Sequence, residues 1–226
     1  MTVTLIASSN DSAADGQASD EPVLSARKRP KPGERKVQIL QALAGMLEKP
    51  GADRITTAAL AASLKVSEAA LYRHFASKAQ MFEGLIDFIE QTVLSLSHQI
   101  AEREKADSSV DVGAGARQAA KVATMVIQFA EKNPGMARVM VGDALVFENE
   151  RLQQRMNLLF DKMESTFKQC LQASSIPGDA TPTVQAQLRA SVLTAFLVGR
   201  LQRFVRSGFR RLPSENLGSS LILLLG

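Results

Sequence analysis

The 226-residue sequence contains no tryptophan, one tyrosine, two histidines and a single cysteine, Cys170. One cysteine cannot form an intrachain disulfide, which excludes a disulfide-stapled secreted scaffold and indicates a cytosolic setting. The two histidines, His74 and His98, are too far apart to form a helical pair of metal ligands. No metal motif, glycine-rich phosphate loop or nucleophile elbow occurs. We therefore expect a protein that is not an enzyme and holds no metal or other cofactor.

Long apolar runs and alternating patterns are also missing from the sequence. No run approaches the roughly 18 apolar residues of a membrane helix, and the N-terminus lacks the charged-then-apolar order of a signal peptide. No segment alternates apolar and polar residues as a half-buried strand does. Apolar residues instead recur at steps of three and four, and they make up 45% of the chain. This pattern predicts an all-α globular protein of one or two domains with no membrane partner.

Charge is unevenly distributed along the chain. The first 26 residues carry four acidic residues and no lysine or arginine, and their Ser, Ala and Asp content predicts a disordered tail. Residues 27–82 carry eleven basic residues against four acidic ones, which predicts a nucleic-acid-binding region. The basic segment 27–31 is kept extended by Pro30 and Pro32. It is either a solvated tail or an arm along the DNA backbone or minor groove.

Residues 55–81 predict two short helices, a tight turn and the start of a third helix. Thr56 or Thr57 can cap the first helix, residues 65–66 form the turn, and Ser67 caps the second helix, which reaches to about residue 75. Two helices this short cannot fold alone. Their small, alanine-rich packing face is typical of a helix-turn-helix, whose second helix enters the DNA major groove. A pair of ordinary core helices is the alternative.

The polar side chains of the second of these helices are expected to point outward. Tyr72, His74 and Lys78 supply phosphate donors, while the small Ala69 and Ala70 let the backbone approach base edges. The residues expected to contact double-stranded DNA are Thr56, Thr57, Lys65, Ser67, Glu68, Ala69, Ala70, Tyr72, Arg73, His74 and Lys78.

The rest of the chain predicts further helices and two loops. The predicted helices span residues 33–48, 78–104, 116–132, 136–145, 148–173 and 183–207, with loops at 105–115 and 174–182. Cys170 lies on the buried line of the helix 148–173 and is interpreted as core. The helix 183–207 is apolar on two sides, with Val184 and Leu188 on one of them. A helix with two apolar faces has two things to bury against, so we expect a second copy of the protein on one face.

The run VSEAALYRHF at residues 66–75, followed by Ser77-Lys78 and Met81-Phe82, resembles the DNA-binding signature of the TetR family. The resemblance implies an N-terminal helix-turn-helix DNA-binding domain, 33–80, joined to a larger helical dimerisation and partner-binding domain, 81–226. Residues 1–32 would be the acidic tail and basic arm. The sequence departs from the family pattern at Lys65, where the family usually has glycine. A non-glycine residue in a left-handed turn costs about 1 kcal/mol.

Four segments beyond this signature, residues 81–90, 131–136, 145–160 and 191–209, are similar to the nucleoid occlusion factors within the TetR family. That resemblance implies a homodimer on palindromic chromosomal sites. The dimer would be nucleoid-associated and would antagonise FtsZ, the tubulin-like protein of the bacterial division ring, so that division over the nucleoid is prevented.

The resemblance also places an FtsZ-binding groove between the long linking helix and the next one. Its residues, carried over by position, are Phe88, Met125, Gln128, Lys132 and Asn133. Lys132 keeps a positive charge that suits an acidic FtsZ tail. Gln128 stands where a small residue is expected. For Phe88, a plain core position is the alternative.

A TetR-type repressor released from DNA by a small apolar ligand is the alternative function. Its pocket would be lined by Phe129, Met156, Phe160 and Met163. Methionines at helical spacing are more often core than pocket. The sequence alone leaves both functions open.

Overall fold

A computed structural model describes residues 33–49, 55–107, 113–172 and 182–226, and all regular structure within these ranges is helical. The elements are α1 (Glu34–Leu47), α2 (Thr57–Ser63), α3 (Glu68–Tyr72), α4 (Lys78–Asp107), α5 (Ala114–Lys132), α6 (Pro134–Met140), a 3₁₀ turn (Asp143–Leu145), α7 (Glu150–Gln172), α8 (Pro182–Arg206) and α9 (Leu217–Leu225). The predicted all-α fold is confirmed. The predicted tail and arm at 1–32 lie outside the described residues, as does the predicted loop 174–182 apart from Pro182, which begins α8.

Several predicted boundaries differ from the structure. The predicted loop 105–115 is shorter, because α4 continues to Asp107 and α5 already begins at Ala114. The predicted helix 136–145 instead begins at Pro134. Proline has no N–H group, but N–H groups in the first helical turn have no intrahelical partner, so proline loses no hydrogen bond there. The helix ends at Met140, because Gly142 adopts a left-handed φ of 80° before the 3₁₀ turn.

One continuous apolar core joins the small N-terminal head, α1 to α3, to the larger helical body. Leu43, Leu60 and Leu71 of the head pack above Met81 and Phe82 at the start of α4, and all five are almost fully buried. The predicted apolar line of α7 is confirmed, because Leu152, Met156, Leu159, Met163, Phe167 and Cys170 are all buried. Cys170 is therefore a core residue.

Helix α6 fixes the head to the body at close range. A Cβ atom on Gly135 would lie 2.1 Å from the carbonyl oxygen of Ala44 in α1, so only glycine allows this approach. Arg138 donates to the carbonyl of Lys49, just beyond α1, at 3.3 Å, and its guanidinium lies 3.4 Å from the carboxylate of Asp143. The end of α1 is therefore held by both a backbone contact and a buried arginine.

A row of ion pairs holds the N-terminal half of α4 against the start of α7. The pairs are Lys78 with Glu148, Glu83 with Arg151, and Asp87 and Glu90 with Arg155. Burial lowers the pKa of Arg155, but its hydrogen bonds to Asp87 and Glu90 and their charges outweigh burial and raise the pKa above its ordinary value. Single exposed pairs contribute little to stability, whereas a row of them fixes how two helices align.

Helix α8 has the two apolar sides that its sequence predicts. Leu193, Leu197 and Leu201 are buried in the body. On the other side Val184 and Leu188 are 57% and 62% exposed, although both are large apolar residues. The second apolar side of α8 therefore has no cover within the described part of the chain.

The C-terminal helix α9 lies against α5 and α8, with Leu217, Leu221 and Leu225 buried. Arg200 of α8 anchors the segment before it, because its guanidinium donates to the carbonyls of Pro213 at 2.8 Å and Glu215 at 2.7 Å. Burial, together with the charge of the neighbouring Arg203, lowers the pKa of Arg200. None of the helices that the structure describes is both long and apolar enough to cross a membrane.

Candidate nucleic-acid interface

Side-chain caps define where α2 begins. Thr56, rather than Thr57, is the cap, because its hydroxyl oxygen accepts from the backbone N–H of Ala59 at 3.1 Å. The Thr57 hydroxyl instead donates to the carboxylate of Glu68 at 2.6 Å. This bond ties the first turn of α2 to the first turn of α3.

The turn between α2 and α3 is a left-handed helix end at Lys65. Lys65 has a φ of 54°, its N–H donates to the carbonyl of Ala62 at 3.1 Å, and the N–H of Val66 donates to the carbonyl of Ala61 at 3.0 Å. These two bonds form a Schellman motif, whose left-handed position is usually occupied by glycine. Lys65 therefore adopts the same turn as glycine, at a cost of about 1 kcal/mol.

Helix α3 is shorter than its sequence predicts. Ser67 caps it as expected, accepting from the N–H of Ala70 at 3.3 Å. The helix ends at Tyr72 rather than near Phe75, because the carbonyl of Leu71 accepts from the N–H of His74 at 2.9 Å and tightens the last turn. Leu71 and Phe75 are buried.

The exposed side of α3 presents most of the predicted DNA contacts together. Ser67, Glu68, Ala69, Tyr72 and Arg73 are exposed on one short segment, and so is the neighbouring Lys65. Ala70 and His74 are only half exposed, so His74 faces outward less than expected. The resulting face is polar and has few bulky side chains near its N-terminal end.

Lys78, the last residue of the predicted DNA set, faces the body. Ser77 caps α4 by accepting from the N–H of Gln80 at 3.2 Å. The ammonium of Lys78 lies 2.5 Å from a carboxylate oxygen of Glu148 and 5.7 Å from the centre of the Phe82 ring. A DNA phosphate at this position would compete with Glu148. Sequence reasoning missed this pair because Glu148 is distant in the chain and carries no local signal.

The five residues predicted for a second partner are spread over α4, α5 and the residue after α5. Phe88 and Met125 are half-buried, and Gln128 and Lys132 are exposed. Asn133 is buried, and its amide donates to the carbonyl of Phe129 at 2.7 Å.

The structure brings only Met125 and Gln128 of this set into one groove, which lies between α5 and α9. Phe88, Lys132 and Asn133 do not line it. The contribution of α9 was missed, because an apolar run such as 221–225 does not indicate which helix it packs against.

The pocket proposed for an apolar ligand is only partly formed. Met156 and Phe160 line an open cleft of about 530 Å³ between the 3₁₀ turn, α7 and α8. Phe129 and Met163 are buried in the core instead. In the described ranges no three His, Cys, Asp or Glu side chains cluster as a metal site would require.

Two family models match the chain. The model for bacterial regulatory proteins of the tetR family matches residues 39–85, and that for the tetracyclin repressor-like C-terminal domain matches residues 117–225. The first match covers the helix-turn-helix, and the second covers most of the body.

Close relatives are named nucleoid occlusion factor SlmA. The chain is 46% identical over 182 residues to that of Idiomarina loihiensis, covering 80% of this chain and 89% of the relative. It is 46% identical over 187 residues to that of Vibrio vulnificus strain YJ016, covering 82% and 91%. With that of Vibrio cholerae it shares 44% over 191 residues, covering 84% and 93%.

Solved structures of transcriptional regulators share the fold at low sequence identity. The regulator FadR from Bacillus subtilis, solved with stearoyl-CoA, has a TM-score of 0.61 at 15% identity, covering 84% of this chain and 97% of its own. The TetR family regulator PfmR from Thermus thermophilus has a TM-score of 0.61 at 18% identity, covering 83% and 97%. From these matches in the head and the body, the chain belongs to the TetR family and, within it, to the SlmA nucleoid occlusion factors.

Proposed function

We propose that this protein is a nucleoid occlusion factor that binds palindromic chromosomal DNA as a homodimer and inhibits FtsZ assembly over the nucleoid. The observation that carries the proposal is the extent of the likeness to SlmA, 46% identity over 182 residues, which includes the body as well as the head. TetR-type regulators share the head, whereas their bodies vary. Likeness in the body therefore favours this function over that of a ligand-released repressor.

The DNA-binding step uses the exposed side of α3. Ala69 has no bulky side chain, so the backbone of α3 can approach base edges in the major groove. Phosphates repel the Glu68 carboxylate, but its bond to the Thr57 hydroxyl at 2.6 Å holds it beside α2. In that position it can accept a hydrogen bond from a cytosine amino group. Tyr72 and Arg73 lie on the following turn and would contact the phosphate backbone or base edges.

Dimerisation uses the uncovered apolar side of α8. Val184, Leu188 and Val192 follow one another at steps of four, and each is more than half exposed. Leu158 of α7 is 53% exposed as well. Several large apolar side chains exposed on two packed helices indicate an interaction surface. A second copy would cover the patch and place two α3 helices about 34 Å apart, one turn of DNA.

The FtsZ-binding step uses the predicted residues on α4 and α5. Lys132 offers an exposed positive charge to an acidic tail. Met125, two helical turns earlier on α5, offers partly exposed apolar surface, and Phe88 lies half-buried on α4. Asn133 contributes differently, because its buried amide bonds the Phe129 carbonyl and fixes the end of α5. We propose that Asn133 positions Lys132.

The test measures binding of a labelled peptide of the FtsZ C-terminal tail by fluorescence anisotropy, with and without a palindromic DNA site. We expect the wild-type protein to bind the peptide, and DNA to strengthen binding if it selects the competent spacing of the dimer. Lys132→Glu should weaken peptide binding at least about tenfold through charge reversal and leave DNA binding unchanged. Lys132→Gln is the matched control, with a smaller loss.

The absence of peptide binding in both conditions would remove the division-inhibitor function. The ligand-responsive repressor would then remain, and a small apolar compound that releases the DNA would support it. Lys132→Glu is suited to this test because the side chain is exposed and the substitution leaves the core intact.

A further inference from the structure

An apolar groove of about 720 Å³ lies between α5 and α9. Ile100 of α4 and Met125 of α5 line one side, and Leu221, Ile222 and Leu225 of α9 line the other. Leu221 and Leu225 are buried in the contact of α9 with the body, whereas Ile222 is 72% exposed. The groove is therefore a formed surface whose outer wall, α9, still presents an apolar side chain to water.

The groove also has a basic edge on α5. Arg117 and Lys121 line it together with Met125 and Gln128. With Lys132 these residues follow one another at steps of three and four, so they form a single stripe along α5. The stripe spans about 22 Å at 1.5 Å per residue. Two residues of the predicted partner site, Met125 and Gln128, therefore line the groove itself, and Lys132 continues their stripe by one helical turn along α5.

This surface has the chemistry of a particular occupant. An extended chain advances about 3.3 Å per residue, so a stripe of about 22 Å fits about seven residues. Basic residues along α5 favour carboxylates, and the wall of α9 favours apolar side chains. The complementary ligand is a short extended peptide with both acidic and apolar residues.

We propose that α9 forms the outer wall of the docking site for the acidic FtsZ tail, an inference that rests on the proposed function. The tail lies along the α5 stripe with its carboxylates toward Arg117, Lys121 and Lys132. Its apolar side chains enter the groove and contact Ile222. The docking site therefore extends beyond the residues that the resemblance implies, and α9 contributes to affinity.

Two neighbouring residues of α9 allow a matched experiment. Ile222 lines the groove, whereas Leu223 is 87% exposed and does not line it. Ile222→Glu places a negative charge beside an acidic tail and removes apolar surface, so we expect peptide affinity to fall about tenfold. Leu223→Glu adds the same charge on the outer side of α9, and we expect a change of less than about twofold. The readout is anisotropy of the labelled FtsZ tail peptide with the full chain on DNA.

The outcomes separate this inference from the proposed function. Equal effects of Ile222→Glu and Leu223→Glu, with Lys132→Glu still weakening binding, overturn the role of α9 and leave the proposed function standing. No peptide binding by the wild-type protein overturns both.

A change of oligomeric mass in Ile222→Glu marks the groove as an interface between copies, which also overturns the inference. Ile222→Ala is a second variant that removes apolar surface without adding charge. It should weaken binding about threefold, and equality with wild type counts against the inference.

Discussion

The exposed side of α3 and the groove between α5 and α9 are built in opposite ways. The side of α3 is polar, and its supporting bonds join residues close in sequence, such as Ser67 with Ala70. The groove is apolar, and Ile100, Met125 and Ile222 reach it from three distant helices. A polar surface is stable in water without a partner, whereas an exposed apolar one marks an interaction site. The exposed side of α3 therefore needs no partner until it binds DNA, whereas the groove between α5 and α9 indicates a protein partner.

The largest expected effect is on DNA affinity and comes from a charge placed on α3. Ala69→Glu would set a carboxylate against phosphates and base edges, and we expect DNA affinity to fall more than about 100-fold. Ala69→Ser, which keeps the side chain small, should bind nearly as wild type. Fluorescence anisotropy with labelled DNA measures both. Ala69→Glu should bind the FtsZ peptide as the wild-type protein does when both are measured without DNA. Loss of both activities would show that the two faces do not act independently.

A charge on the uncovered side of α8 should affect DNA binding through the dimer. Leu188→Asp would place a carboxylate in the proposed interface, so we expect a monomer by light scattering and at least tenfold weaker binding to a palindrome. Leu223→Asp on α9 is the control, because it places the same charge on another exposed leucine, one that lies outside the proposed interface. A Leu188→Asp protein that stays dimeric would show that the copies meet elsewhere.

A smaller effect on DNA binding is expected from substitution of Lys78, which lies where the head meets the body. Lys78→Ala should weaken binding to all DNA sequences alike and flatten the dependence of log affinity on log salt by about one unit. Glu148→Gln removes the competing carboxylate and should strengthen DNA binding by about threefold. Salt titrations of both variants measure this. A change in sequence preference for Lys78→Ala would contradict a phosphate-contacting role.

The smallest expected effect is on thermal stability and concerns the turn between α2 and α3. Lys65→Gly should raise stability by about 1 kcal/mol, because glycine adopts a positive φ without strain. For a protein of this size that is roughly 2–4 °C in the melting temperature. Lys65→Ala keeps the strain and should give no increase. Equal melting temperatures for the two variants would show that the turn stores no strain, and calorimetry distinguishes the cases.

Sequence reasoning succeeded where the structure depends on neighbours in the chain. The cap at Ser67 and the helical line of α7 are local patterns, and both are confirmed. The left-handed turn at Lys65 follows from the family resemblance. The pairing of Lys78 with Glu148 and the packing of α9 on α5 join distant segments, so no periodicity encodes them. The start of α6 was misjudged because Pro134 acts as a stop inside a helix but fits its first turn.

The contact of Gly135 with Ala44 limits how freely this head could be exchanged between proteins. If the head of a relative were joined to this body, its α1 would have to allow the backbone of α6 to contact the backbone of α1. Conversely, this head placed on a body with a side chain at the position of Gly135 would be pushed away from α6. The two α3 helices of a dimer would then shift apart and no longer match the same half-site spacing. A chimaera with any residue other than glycine at this position would therefore have a folded head and a folded body and still fail to recognise its DNA site.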